Sequence, residues 1–328
     1  MTTSEEFIEI TNKQGLVAWL LPFGATLAKL TFPDKNGVAQ DVILGFDSIK
    51  EFEKDTASIG KTVGRVANRI KNAEVQFDGK KYVLEKNNGP HFLHGGSNGI
   101  GNKLWEIVRH SSRSVSFSIL VDEQMDGLPG NAKIDVTYTV NDRNQLIVEH
   151  YATCTSAGLI AITNHAYWNL DGSETVAEHI LEVDANEYVE VDSTDCPTGA
   201  ILSVRNTIYD FTSPRKLETL RDIDGVLNID NDLVTSTQST PKVSLRLFSE
   251  KSGIEVTIRS SYPTIHLYAS KYLDTIGRGN EKYGQGKGLA IEPQFHSAAP
   301  NFDNFPDVSL RPGENYSHEI VYSLSTIN

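Results

Sequence analysis

Cysteine is nearly missing from this chain: only Cys154 and Cys196 occur in 328 residues. Two thiols far apart in sequence make neither a disulfide framework nor a zinc cluster, and the expected state is a pair of reduced thiols in the cytosol. Long hydrophobic runs are missing too. Without a stretch of about 18 apolar residues no bilayer-spanning helix is expected, and the chain reads as soluble. The opening residues Met1-Thr2-Thr3-Ser4-Glu5-Glu6 offer neither a basic n-region nor a long apolar h-region, so no secretory signal is expected. Cations are the minority: 30 Lys and Arg stand against 43 Asp and Glu, a net charge of −13, with no acidic or basic block. Such a field repels phosphate backbones and anionic lipid surfaces, which disfavours nucleic acid and membranes as partners. Internal repeats and low-complexity linkers are also lacking, so one domain spanning residues 1–328 is expected.

What is present is a globular composition, 39% hydrophobic and 22% charged, arranged in period-two alternation. In Ile134-Asp135-Val136-Thr137-Tyr138-Thr139-Val140 the apolar side chains share one face, as a half-buried strand requires. Polar Asn141-Asp142-Arg143-Asn144 then turns the chain into a second strand, Gln145 to Thr153. Another hairpin is expected where Val75-Gln76-Phe77 and Tyr82-Val83-Leu84 flank Asp78-Gly79. Further strands are expected at Phe7–Thr11, Leu16–Leu21, Val42–Leu44, Trp105–Val108, Val115–Val121, Ile180–Val183, Tyr188–Val191, Val243–Phe248, Ile254–Arg259, Ile265–Ala269, Leu289–Glu292 and Glu319–Leu324. Helix is expected only at Ser48–Lys54 and, from its proline near the start and amphipathic pattern, at Pro214–Arg221. Many short strands between Gly, Pro and Asp-rich turns indicate an all-β fold, a large antiparallel β-sandwich.

Polar residues gather at a few places in this pattern. Thr163-Asn164-His165-Ala166-Tyr167-Trp168-Asn169 ends the apolar run Leu159-Ile160-Ala161-Ile162, which fits either the floor of a small-molecule pocket or an ordinary strand end with a hydrogen-bonded histidine. In Gly64-Arg65-Val66-Ala67-Asn68-Arg69-Ile70, Arg69 can fork two hydrogen bonds to vicinal hydroxyls or a carboxylate, and Asn68 both donates and accepts. The same arginines also fit a strand edge paired with surface acids. His91 and His94 lie in the Gly-rich loop from Asn87 to Gly96, but a catalytic zinc needs a third protein ligand, so His94 suits hydrogen-bond donation and His91 a structural or solvated place. Glu292 sits among apolar neighbours in Leu289-Ala290-Ile291-Glu292-Pro293. Buried there, its pKa would rise into the range of a general base; at a strand terminus it would simply face water. Asn228-Ile229-Asp230-Asn231-Asp232-Leu233 reads as a short loop in which Asp230 or Asp232 can hold a hydroxyl, and too few oxygen ligands are present for calcium. His266, inside the apolar Pro263–Tyr268 segment, fits a satisfied core residue.

Taken in order, Gly64–Ile70, His94-Gly95-Gly96, Thr163–Leu170 and Ile291-Glu292-Pro293-Gln294 closely resemble the aldose 1-epimerase, or galactose mutarotase, family. The resemblance runs from Phe23-Gly24-Ala25 to Leu310-Arg311-Pro312-Gly313-Glu314. It implies a large β-sandwich whose groove takes a free aldose and needs neither metal nor cofactor. It further implies Glu292 as the base that removes the proton of the anomeric hydroxyl and His165 as the acid that protonates the ring oxygen. Asn68, Arg69, His94 and Asp230 match groups that hold the sugar. Three positions depart from the family pattern: His266 stands for a glutamine, His296-Ser297-Ala298 for Pro-Asp-Ala, and Asn231 for a histidine. His266 is nevertheless expected on the sugar, and a slip from Asp230 to Asp232 stays open.

The expectation is an isomerase interconverting the anomers of free aldohexoses such as galactose and glucose, a cytoplasmic monomer or weak dimer whose partner is a monosaccharide. Two other readings stand beside it. A hexose 6-phosphate epimerase would draw on Arg65 and Arg109 for phosphate, and a non-catalytic sugar sensor would have no use for a matched acid and base.

Overall fold

The computed structural model describes residues 7–235 and 243–327, so the Met1–Glu6 segment lies outside it. Two antiparallel sheets dominate. The larger has nine strands in the order Glu106–His110, Ser114–Val121, Asn131–Val140, Gln145–Ser156, Tyr316–Thr326, Ile254–Ser260, Val243–Phe248, Ile180–Val183 and Arg215–Lys216. The smaller has six, ordered Tyr167–Trp168, Leu289–Gln294, Thr264–Tyr268, Asp230–Thr235, Ala185–Val191 and Pro197–Ser203. Among the described residues no helix is long and apolar enough to cross a membrane.

Alternation decides which side chains meet between the sheets. Val136, Tyr138, Val148, Ile258 and Tyr322 from the larger sheet share one buried cluster with Leu233, Ile265, Leu267, Leu289 and Ile291 from the smaller. Trp168 closes this layer with its ring 5.0 Å from that of Tyr322. Each fully buried Leu or Ile contributes roughly 1.5–3 kcal/mol relative to an exposed one, which fixes the register of the smaller sheet. A one-residue slip would turn its polar face into the core.

Ser48–Lys54 forms the expected helix, Ile49–Lys54, with the Glu51 carboxylate accepting from the Ser48 N–H at 2.8 Å. The Pro214–Arg221 segment does not form one. Arg215–Lys216 pairs with Ile180 and Leu181 as a strand, and only a 3-10 turn, Leu217–Leu220, follows. Its amphipathic pattern is the burial of Leu217 and Leu220, three residues apart on that turn. Val42–Leu44 is displaced as well: the strand is Ala39–Asp41, while Val42 N–H bonds to Leu30 O and Leu44 N–H to Tyr167 O. Thr26–Pro33 was unexpected because nearly every residue in it is buried on both faces, leaving no alternation to read. The residues from Asp230 onward form a strand, Asp230–Thr235, where a loop was expected. The polar Asp-Asn-Asp start hides a strand whose apolar half begins at Leu233.

Candidate active site

The outward face of the smaller sheet carries a polar row. Within the Leu289–Gln294 strand, Leu289 and Ile291 point to the core, so Glu292 points away. Strand register sets His266 directly opposite Glu292, and Asp232 directly opposite His266. Asp230, two residues before Asp232, shares that face. Asp232, His266 and Glu292 therefore lie side by side across three strands.

His165 enters from the side. It falls between Thr163–Asn164, paired with Thr62–Val63, and Tyr167–Trp168, paired with Leu289 and Ala290. Its N–H donates to Lys61 O at 2.8 Å and its carbonyl accepts from Gly60 N–H at 2.9 Å, which fixes the backbone on both sides. Thr163 Oγ1 donates to Pro293 O at 2.7 Å and ties this segment to the glutamate strand. The result is a 3.4 Å contact between His165 Nε2 and Glu292 Oε1, both residues almost wholly buried. The other oxygen, Glu292 Oε2, accepts no hydrogen bond from the described residues.

Asn68 and His94 hold each other. Both adopt left-handed backbone conformations, and the His94 N–H donates to Asn68 O while the Asn68 N–H donates to His94 Nδ1, each at 3.1 Å. Because Nδ1 is the acceptor, the neutral ring carries its proton on Nε2 and can donate from there. Gly95 makes the close turn possible: a Cβ at that position would lie 1.9 Å from Gly64 O. Asn68 Oδ1 in turn accepts from the Arg69 N–H at 2.8 Å and Arg69 Nη1 at 3.3 Å. The rest of the guanidinium reaches Asn88 Oδ1 and Asp230 Oδ2, both at 3.2 Å. The fork is thus spent on neighbours that aim Asp230.

These groups surround a cavity of about 310 Å³, lined also by Tyr167, Tyr268 and Tyr272, a size that suits a small ligand. Its electrostatics are set by burial. Desolvation pushes Glu292 up to about 8, partly opposed by the His266 cation, and pushes His165 down to about 4. Burial thus favours the two groups as neutral partners, with the proton on Glu292, over an ion pair. His94 is likewise held well below the usual histidine range by burial and by His165. His266 goes the other way: burial alone would lower it, but its bonds to Asp230 and Asp232 lift it to about 10. For Asp230 burial is outweighed by the bond from His266 and the charge of Arg69, which hold the carboxyl well below the usual range.

Glu292, His165, His94, Asn68, Arg69, Asp230 and His266 all line the one cavity. Asp232 lies beneath it, bound to His266 and Ser297. His91 is placed elsewhere, between Thr194 Oγ1 at 2.8 Å and the Asn72 N–H at 3.1 Å. The third ligand that His91 and His94 lack in sequence is supplied in space, since ring or carboxylate atoms of His94, His165 and Glu292 lie within 4.8 Å of one another. The bonding of His94 speaks against a metal there: with Nδ1 accepting a backbone proton, ligation through Nε2 would require an imidazolate. Arg65 is fully buried on Asp126 and the carbonyls of Asp122, Leu128, Pro129 and Gly130, and Arg109 is exposed on an edge strand. Neither faces the cavity. Sequence reasoning missed Asn88, the clamp on Arg69, and the bracing of Asp232 by Gln294 and Ser297. Those contacts join segments with no signal in common.

The Aldose 1-epimerase family profile matches residues 6–323. The chain belongs to that family. It is 33% identical over 324 residues to the aldose 1-epimerase of Escherichia coli K12, covering 96% of this chain and 94% of that one. It is 33% identical to the galactose mutarotase of Sus scrofa, covering 93% and 90%. Among solved structures, the GalM/aldose epimerase homologue from C. elegans superposes with a TM-score of 0.97 at 66% identity, covering 99% of this chain and all of that one. The enzyme is thus an isomerase of aldoses on a mutarotase fold, as the ordered motifs predicted.

Proposed function

We propose that the groove opens and recloses the ring of a free aldohexose such as galactose or glucose, with Glu292 taking the proton of the anomeric hydroxyl and His165 delivering one to the ring oxygen. The observation that carries this reading is the 3.4 Å contact of His165 Nε2 with Glu292 Oε1 at the cavity floor. Opening a hemiacetal removes one proton from O1 and adds one to O5, so the protein needs one proton in total and two places to keep it. A neutral Glu292 beside a neutral His165 holds that proton; moving it from Glu292 to His165 makes the reactive pair without changing the proton count. The sugar's polar groups then stabilise the charged form that burial alone disfavours. His94 Nε2–H supports charge on the ring oxygen, while Asn68, Arg69 and Asp230, the last held by His266, form the wall that receives the remaining hydroxyls. After rotation about C1–C2 the pair runs backward and closes the other anomer.

Polarimetry of freshly dissolved α-D-galactose and α-D-glucose tests the reading. Wild-type protein is expected to speed the optical change, and Glu292→Gln to lose about 10²–10⁴-fold of that rate. A Glu292→Gln variant as fast as wild type would remove the glutamate from the mechanism. Acceleration confined to glucose 6-phosphate would replace the substrate.

A further inference from the structure

Both ring nitrogens of His266 are taken. Nδ1 bonds Asp232 Oδ1 at 2.7 Å and Nε2 bonds Asp230 Oδ1 at 3.0 Å. A carboxylate only accepts, so two carboxylate partners require two N–H groups, and the ring is an imidazolium. Asp232 is engaged on both oxygens: Oδ2 accepts from the Ser297 N–H at 2.6 Å, and Oδ1 from Ser297 Oγ at 3.0 Å and Gln294 Nε2 at 3.3 Å. Its side chain is 1% exposed and does not line the cavity. Asp232 therefore cannot reach a sugar, yet it holds His266, which lines the cavity.

We propose that Asp232 is a positioning residue that pins the His266 ring as a fixed cation, aims its Nε2–H at Asp230, and so places both the hydroxyl acceptor and a positive charge next to Glu292. The inference rests on the acid–base reading of Glu292 and His165. Asp230, held by His266 on one oxygen and Arg69 on the other, stays ionised and cannot rotate, leaving only its outward lone pairs for a ligand. Across the register, the same cation draws the proton affinity of Glu292 down from where burial alone would set it. The groups that face this centre are Asp230 and Asp232 on one neighbouring strand, Glu292 on the other, Arg69, His94 and His165 from the segments above, and His296 beside Asp232, its own pKa lowered by burial. Only His266 and Arg69 carry positive charge in that set. Loss of the His266 charge favours protonation of everything around it.

The test follows the histidine Cε1–H signals of the full-length protein by NMR across pH, alongside polarimetric rates, in wild type, Asp232→Asn and His266→Gln. The His266 signal, assigned by its loss in His266→Gln, is expected not to titrate below about pH 9 in wild type and to move its midpoint down by about two units in Asp232→Asn. Asp232→Asn is also expected to raise KM about tenfold with a smaller loss in kcat, because Asp230 loses its fixed aim. His266→Gln is expected to move both limbs of the pH–rate profile about one unit higher, which a merely structural role would not do. A wild-type His266 that titrates near the free histidine value, or unmoved limbs in His266→Gln, would overturn the proposal. If Asp232→Asn does not fold, the wild-type titration and the His266→Gln profile decide. Full activity in Glu292→Gln would instead overturn the acid–base reading and leave the His266 titration as the measure of the clamp.

Discussion

Glu292 Oε1, on the Leu289–Gln294 strand, and His165 Nε2, on the link between Thr163–Asn164 and Tyr167–Trp168, meet at 3.4 Å, and burial drives the first up to about 8 and the second down to about 4. The pair is a single store for one proton. In the proposed mechanism its neutral resting form and its reactive charged form differ only in where that proton sits.

The pH dependence of kcat/KM follows from the count. Between about 4 and about 8 the pair holds one proton and both roles are filled. Above the upper value the proton is lost and nothing remains for the ring oxygen; below the lower value a second proton arrives and no base remains. Initial polarimetric rates on galactose at constant ionic strength should therefore give a broad bell. A limb centred near 6.5, the free histidine value, would show that His165 and Glu292 titrate independently.

Arg69 should matter for holding the sugar wall more than for charge. Its guanidinium reaches Asn68, Asn88 and Asp230 at once, and a lysine keeps the charge but loses the planar fork. Arg69→Lys is expected to raise KM about tenfold while kcat falls less. Equal losses in kcat and kcat/KM with KM unchanged would instead place Arg69 in the transition state alone.

Stability should fall steeply as pH drops from 6.5 toward 4. Burial lowers His165, His179 and His318 to about 4 and His150 to about 3. A histidine with a depressed folded pKa takes up its proton more readily when unfolded, so stability is complete above the unfolded value of about 6.5 and is lost as pH falls toward the folded one. Glu292, raised to about 8, acts in the opposite sense between its unfolded value and 8, as do the raised carboxyls of Asp41, Asp55 and Asp195, but His91, His94 and His296 are lowered too and add to the histidine side. Melting temperatures by differential scanning calorimetry should drop across this window. A flat profile from 6.5 to 4.5 would show that these rings are charged in the fold.

Much of this site was legible in the chain because it is carried by short ordered segments. Glu292 could be read from a carboxylate set in an apolar strand, and His165 from a polar cluster ending an apolar run. The resemblance then paired them. The loop expected at Asp230 was misread because two acids and an asparagine mask a strand whose apolar partners come later, and a short polar start outweighs them in any local window. His266 looked like a satisfied core histidine and is one, in the sense that both nitrogens are bonded, but its partners are two carboxylates in the cavity wall.

Period-two alternation by itself determined the β architecture, because side chains on successive strand residues must face opposite ways whatever the rest of the chain does. It also determined that Glu292 and His266 lie on the faces opposite Ile291 and Leu267. Register was decided only by the tertiary structure. Which strands become neighbours depends on long-range burial of apolar faces, and that choice set Asp232, His266 and Glu292 in one row. The charge states followed from it, since a histidine becomes a fixed cation or a neutral ring according to the groups that folding brings within hydrogen-bond reach.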